Sequence, residues 1–456
     1  MFAKKGSRNF PPTPFRPLPL VGHLPHFARD PLRFLERAME ASGDIYTLNL
    51  GTVEMILLNH PDHSSHMLID RAENYGRGAA LYGGLRTLLG DDLITMDGDP
   101  WLRRRRRAQP HFHKQRHADF AQLMVGVVEE NLGIWARKAA EGPVDIVGPV
   151  NALTAQIIVR TLLGSDLALD EITQVESDLA FVVDYQLPNL LISKLPRWVP
   201  FPSKKRYQHA LHRVDQTILA TIRRREAGGA ARGDDLLATL LKPIDETDPT
   251  MSRRDLRDEV VGMFLAGYET TATTLAWTLH LLARYPDIQA RARDEVDRVL
   301  VSRTPGLSDL PQLGYLSCVL QETQRYRPVS WMIPRTAAED DDIGGFRIPA
   351  GAIVASCTYG SHHNRSIWND PGTFDPDRFL PGRLSEAQAR AWVPFGLGQH
   401  LCVGRDFAVL EMHIVLSMIL QRFTWFEIPE RPVGVQVRAT IKPKGGVWVT
   451  MRDRNG

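Results

Sequence analysis

The hydrophobic pattern changes period twice along the chain. Residues 44–50 and 53–58, parted by Gly51-Thr52, alternate as a strand, a turn and a strand. From about residue 61 to residue 324, apolar positions recur mostly at helical spacing. Strand signals return over residues 343–357, broken by Pro349-Ala350-Gly351. They return again over residues 433–451, broken by Pro443 and Gly445-Gly446. The pattern predicts a mainly α chain with small β-sheets near both ends. Its strands are too few and too scattered for a doubly wound parallel sheet.

One helix stands out. Residues 260–283 are poor in charge but carry Glu269 at mid-length and His280 later. A membrane span would put Glu269 near the bilayer centre at high cost, so the run reads as a long helix buried inside a protein, with no transmembrane segment expected. Ser252 and Asp255 form a capping-box-like start for it, and Pro286 marks the start of the next helix. Residues 405–423 read as another strongly apolar helix. The basic residues 1–8 lead into a proline-rich stretch over 10–19 with no apolar signal region, which gives a leader over residues 1–30 and a cytoplasmic expectation.

Composition narrows the class. The 456 residues are 43% hydrophobic and 24% charged, which excludes a disordered or fibrous chain. The net charge of +2 gives no global reason to expect nucleic acid. Cys318, Cys357 and Cys402 are too few for a disulfide framework, so any one of them is free for chemistry.

Cys402 is the informative one. Phe395-Gly396-Leu397-Gly398-Gln399-His400-Leu401-Cys402-Val403-Gly404 places three glycines around one thiol just before an apolar helix. A helix N-terminus stabilises a thiolate, which is either a nucleophile or a metal ligand. His400 could serve a nucleophile as base, whereas a zinc site would need further Cys or His at short spacing, and none is present. Cys318 and Cys357 match no motif and read as core residues.

FGLGQHLCVG resembles the haem-binding loop F-G-x-G-x-[RH]-x-C-x-G of cytochrome P450 monooxygenases. The resemblance implies that Cys402 is the proximal thiolate of haem iron, that Phe395 packs over the sulfur, and that His400 hydrogen-bonds a haem propionate. Four further matches follow the family's order. Glu322-Thr323-Gln324-Arg325 fits E-x-x-R, whose i, i+3 spacing shares a helix face. Residues 374–379 fit F-x-P-x-R-F, so Arg378 is implied to join Glu322 and Arg325 in a buried structural ion network. Residues 266–271, AGYETT, fit [AG]-G-x-[DE]-T-[TS]. There Gly267 is implied to let the helix open and admit water, Thr270 to bond dioxygen and pass protons to it, and Glu269 to relay protons from solvent. The plainer alternative is a threonine-rich helix whose hydroxyls bond back to its own carbonyls. Trp101 and Arg105 fit W-x-x-x-R, and Arg335 sits where the family places another propionate partner.

The resemblance covers essentially the whole chain. It implies the cytochrome P450 fold, one triangular domain over 1–456 with its haem-ligand loop at 395–404. It implies haem b, and electrons from NAD(P)H through a separate reductase and a ferredoxin or flavodoxin. The expected reaction inserts one oxygen atom from dioxygen into a hydrophobic small molecule such as a terpenoid, fatty acid or steroid. Ala266, Trp331 and Ile333 are the expected substrate contacts, with Leu81, Tyr82, Leu85, residues 181–191 and Phe264 as wider candidates. Residues 101–117 hold seven basic residues, three histidines and no acid; a basic face for an acidic electron donor is expected there. A monomer is expected. The rivals are a haem-thiolate peroxygenase or isomerase, which Glu269-Thr270 argues against, a non-catalytic haem sensor, and, remotely, a cysteine hydrolase using Cys402 and His400.

Overall fold

The computed structural model describes residues 9–51, 53–164, 167–192, 204–227, 235–242 and 251–454. The chain divides into two compact units. The first comprises residues 1–83, 325–374 and 381–402, and the second residues 84–324, 375–380 and 403–456.

The first unit is built on a five-stranded sheet. Strands β1 (Ile45–Leu50) and β2 (Val53–Leu58) form the expected hairpin, paired from Leu50↔Val53 to Ile45↔Leu58. The sheet continues through β8 (Ile353–Ser356) and β5 (Ile333–Ala337) to β3 (Tyr75–Gly76), in the order β1-β2-β8-β5-β3. β2 and β8 run parallel, which requires the long excursion of chain between them. Ile45, Ile56, Leu58, Met67, Leu68 and Val354 form the buried core beneath it, together with Ile343 of β6 (Asp341–Ile343) and Ile348 of β7 (Phe346–Ile348). The proline-rich leader is tied to β1: Thr47 donates its N–H to Pro12 O at 2.8 Å and its hydroxyl to Pro11 O at 3.2 Å. Prolines lack the N–H but keep the carbonyl, so they can border a sheet without extending it. Phe15 packs edge-on to Phe34 of α1 (Pro31–Ser42).

The second unit is helical. Its members include α2 (Gly98–Ala108), α3 (His117–Glu141), α4 (Val147–Leu163), α5 (Leu169–Ile192), α6 (Lys204–Ala227), α7 (Arg253–Arg284), α8 (Pro286–Leu300), α9 (Gly314–Tyr326, whose last two residues fall in the first unit) and α10 (Arg405–Arg422). A small sheet orders β4 (Val144–Asp145), β12 (Trp448–Asp453) and β9 (Phe423–Glu427), and a separate hairpin pairs β10 (Gly434–Val437) with β11 (Ile441–Lys444). α7 is the axis of this unit. Its capping box forms as expected, with Ser252 Oγ accepting from Asp255 N–H and Asp255 accepting from Ser252 N–H. Pro286 opens α8 at its first turn. No helix among the described residues is long and apolar enough to cross a membrane.

Candidate haem-thiolate site

In the first unit, the cysteine loop is closed by its own backbone. Cys402 N–H donates to Phe395 O at 3.0 Å and Leu401 N–H to Gly398 O at 3.1 Å. Gly398 is needed twice over: its φ is +71°, and a Cβ there would lie 2.1 Å from Leu68 O. Leu397 packs on the sheet core, so the loop is anchored to the β-sheet. Of the three cysteines, only Cys402 is exposed. Cys357 is buried, and burial pushes its thiol up to about 12. Cys318 is also buried and its thiol is pushed up. The one accessible thiol is thus the one on the glycine loop.

The same unit holds two further expected site residues, Arg335 and His400. Arg335 on β5 is only 4% exposed, and its guanidinium donates to Tyr82 Oη at 3.1 Å and Pro334 O at 2.8 Å. No carboxylate pairs with it among the described residues. A buried cation without a counter-ion is costly, so this position calls for an anionic group. His400 contacts Arg77 through Nδ1 at 3.0 Å. A guanidinium can only donate, so Nδ1 accepts and the ring proton lies on Nε2. Arg77 was not legible as a site residue, because no motif links it to a histidine 323 positions away. Ile333 lies beside the loop, with its Cδ1 3.6 Å from a Cβ built on Gly396. Trp331, expected as a substrate contact, is buried and packs against Phe27 at 6.0 Å between ring centroids.

In the second unit, α7 is buried from Leu256 to Leu279 except at Ala266, Gly267 and Thr270. Those positions, i, i+1 and i+4, share one helix face. Thr270 therefore presents a polar atom on the only accessible face of this stretch. Its hydroxyl donates to Ala266 O at 2.7 Å, and Thr274 and Thr278 repeat that back-bond at 2.9 and 2.8 Å. The plainer threonine pattern is thus present, but only Thr270 of the three lies on the accessible face. Gly267 does not open the helix, which is continuous there. It permits close packing instead, since a Cβ would lie 2.6 Å from Ile158 on α4. Glu269 is buried, and its Oε1 is held by Lys442 Nζ at 2.7 Å and Thr440 Oγ1 at 2.9 Å. Neither partner was singled out in the sequence.

The arginine run on α2 divides by direction. Arg104 turns inward to Asp255 (2.6 Å) and Glu259 (3.1 Å), and Arg107 is buried and donates to Leu240 O. Arg103 and Arg106 are exposed. Arg105 is half-buried and stands one turn from the buried Trp101. Of the other predicted residues, Glu322 is fully buried, accepts from Asp375 N–H at 2.9 Å and faces Arg378 at 3.6 Å. Arg325 donates to the carbonyls of His362, Pro371 and Thr373. The side chains of Leu81 and residues 186–191 lie outside the described residues.

The sequence model of the family described as Cytochrome P450 matches residues 11–447. The chain belongs to the cytochrome P450 family. It is 35% identical over 418 residues to the cyclooctatin synthase of Streptomyces melanosporofaciens, across 90% of this chain and 89% of that one. It is 32% identical, with the same coverage, to the cyclooctat-9-en-7-ol 5-monooxygenase of the same organism. Its fold matches the crystal structure of the cytochrome P450DA haem domain with a TM-score of 0.85 at 26% identity, over 98% of each chain. The expected fold class, mainly α with small sheets, is that of this cytochrome P450 relative. The chain is a cytochrome P450 monooxygenase, and membership of the family implies haem and a supply of electrons. The residues present fit that cofactor: a single accessible thiol on a rigid loop suits a metal, and the buried Arg335 without a carboxylate suits an acidic substituent.

Proposed function

We propose that Cys402 is the axial thiolate of haem b in this cytochrome P450, and that the enzyme inserts one oxygen atom from dioxygen into an apolar small molecule. The observation that carries the reading is the exposed Cys402 thiol on its glycine-closed loop. Arg335, His400 through its Nε2–H, and Arg105 beside Trp101 would receive the propionates, and Phe395 would cover the sulfur. When bound, the haem supplies oxygen activation, which a thiolate ligand favours by donating electron density to iron. The protein's own groups would handle protons. Thr270 offers hydroxyl lone pairs on the accessible face of α7 and can turn its proton from Ala266 O to an acceptor there. Glu269 would replace that proton. Glu322, Arg325 and Arg378 would serve the fold rather than the chemistry.

Ala266, Trp331 and Ile333 are carried forward as substrate contacts; all are largely apolar, which suits a hydrocarbon scaffold. One relative acts, by its name, at position 5 of an alkenol. A cyclic, terpenoid-type hydrocarbon is accordingly the proposed substrate class. Electrons would come from NAD(P)H through a reductase and a ferredoxin or flavodoxin. The single family match over residues 11–447 supports treating the chain as one functional domain.

The test is the carbon-monoxide difference spectrum of the reduced protein beside that of Cys402→Ser. The expected result is a strongly red-shifted Soret band that the substitution abolishes. A band unchanged by the substitution would remove Cys402 from the iron.

A further inference from the structure

Of the four large hydrophobic side chains exposed among the described residues of the first unit, three stand together: Leu18, Leu20 and Val21. Pro17 and Pro19 beside them are exposed too, and Leu20 is 95% exposed. The backbone there is strained. Val21 N–H donates to Pro19 O at 2.8 Å across Leu20, whose φ is +66°. This is a γ-turn of the rare hand, at a φ that glycine adopts freely and leucine resists. The turn is nonetheless held firmly from beneath. Leu18 and Gly22 exchange both backbone hydrogen bonds, at 3.1 and 2.9 Å. His23 is wholly buried; its Nε2 bonds Phe15 O at 2.9 Å and its Nδ1 accepts from Asn49 N–H of β1 at 3.1 Å. Gly22 lies so close to β1 that a Cβ would meet Asn49 Oδ1 at 2.2 Å.

A strained backbone that displays a leucine to water does nothing for the packing of the fold, so the outlier points to a contact outside it. The border of this knob is basic. Arg16, and Arg29 at the end of the short helix Leu24–Arg29, are exposed and form no ion pair among the described residues. Arg37 of α1 is exposed as well, with its guanidinium 5.6 Å from the centre of the Phe15 ring. The acids of this stretch are engaged within the fold. Glu36 accepts from Tyr359 Oη at 2.7 Å, Glu40 faces Arg365 at 3.8 Å, and Asp30 accepts from Arg33 N–H at 3.3 Å. In sequence, residues 1–42 hold seven Lys and Arg against three acids, although the net charge of the whole chain is only +2.

We propose that the Leu18–Val21 knob inserts into the surface of an anionic lipid bilayer, with Arg16, Arg29 and Arg37 meeting its phosphates, so that the folded enzyme rests on the membrane without crossing it. The knob is convex and its border carries one sign of charge, which fits a deformable anionic surface. Desolvation favours the fit. Pro17 and Pro19 have no N–H, and Leu18 and Val21 donate theirs within the turn, so insertion strips water from few amides. The proposal is independent of the oxygen chemistry.

The test is sedimentation of the haem-loaded protein with vesicles of mixed phosphatidylcholine and phosphatidylglycerol, beside vesicles of phosphatidylcholine alone. The wild type should bind the anionic vesicles more tightly, and salt should weaken that binding. Leu18→Ser/Leu20→Ser should weaken it by about tenfold or more. Arg16→Gln/Arg29→Gln should weaken it and flatten its salt dependence. Leu20→Gly separates display from folding: it removes the side chain and the strain together, so it should lower binding while raising the denaturant midpoint. A wild type that ignores the vesicles, a double serine variant that binds as well, or a Leu20→Gly variant that unfolds earlier overturns the proposal. Size-exclusion chromatography without lipid is the second readout. A dimer that the double serine variant dissolves would make the knob a contact between copies of this chain and overturn the lipid reading.

Discussion

At the scale of single residues, the cysteine loop was legible because its chemistry is written in consecutive positions. Contacts across the sequence were not: Arg77 with His400, and Lys442 with Glu269, are joined only by folding. Glu411 shows the same limit. In sequence it is one polar residue in an apolar helix. In the structure it is wholly buried on α10, neither carboxyl oxygen has a partner among the described residues, and burial alone pushes its carboxyl well above the usual range. The native protein therefore keeps a proton that the unfolded chain releases near pH 4.3, the ordinary glutamate value, roughly. A raised native value makes this residue's contribution largest below that pH and progressively lost as pH rises. Glu411→Gln keeps the shape and removes the ionisation. Relative to this variant, the wild type should lose about 1.4 kcal/mol of stability per pH unit above about pH 5. Denaturant unfolding of both haem-loaded proteins at pH 5 and pH 8 measures it, and parallel pH dependence would show that Glu411 does not hold its proton.

At the scale of elements, local pattern predicted what local forces decide. The hairpin over β1 and β2, the capped start of α7 and the proline start of α8 all depend on residues within a few positions of one another. The parallel pairing of β2 with β8 joins positions 298 apart and leaves no periodic trace. The reason for Gly267 was equally hidden, because it lies on the neighbouring helix. A Cβ at 267 would press on both Cδ1 and Cγ1 of Ile158 at 2.6 Å. Gly267→Ala should therefore cost about 1–3 kcal/mol despite its better helix propensity. Ile158→Ala alone should also destabilise, by opening a cavity. The double variant should be more stable than the sum of the two losses predicts, because each change relieves the other. Additive losses in denaturant melts would mean that Gly267 is small for another reason.

At the scale of the whole molecule, a net charge of +2 gives no global field, so any electrostatic steering must come from local clusters. The run at 103–107 is such a cluster in sequence, but folding splits it. Arg103, Arg106 and Lys114 face solvent, whereas Arg104 is 14% exposed and neutralises Asp255 and Glu259. Glu259 is already pushed up to about 8, by burial first and by the charge of Asp92 next. Reversing Arg104 would set a further acid against Asp255, Glu259 and Asp92, so Arg104→Glu should lose folded haem protein and says nothing about docking. The double variant Arg103→Glu/Arg106→Glu tests docking cleanly, because both side chains lie in water. With an acidic ferredoxin as donor, the wild type should be reduced quickly at low salt and more slowly as salt screens the attraction. The double variant should be slow at low salt, with a flattened or inverted salt dependence and an unchanged carbon-monoxide spectrum. Stopped-flow reduction across a salt series reads both features. Equal salt slopes for the two proteins would place the donor elsewhere on the surface.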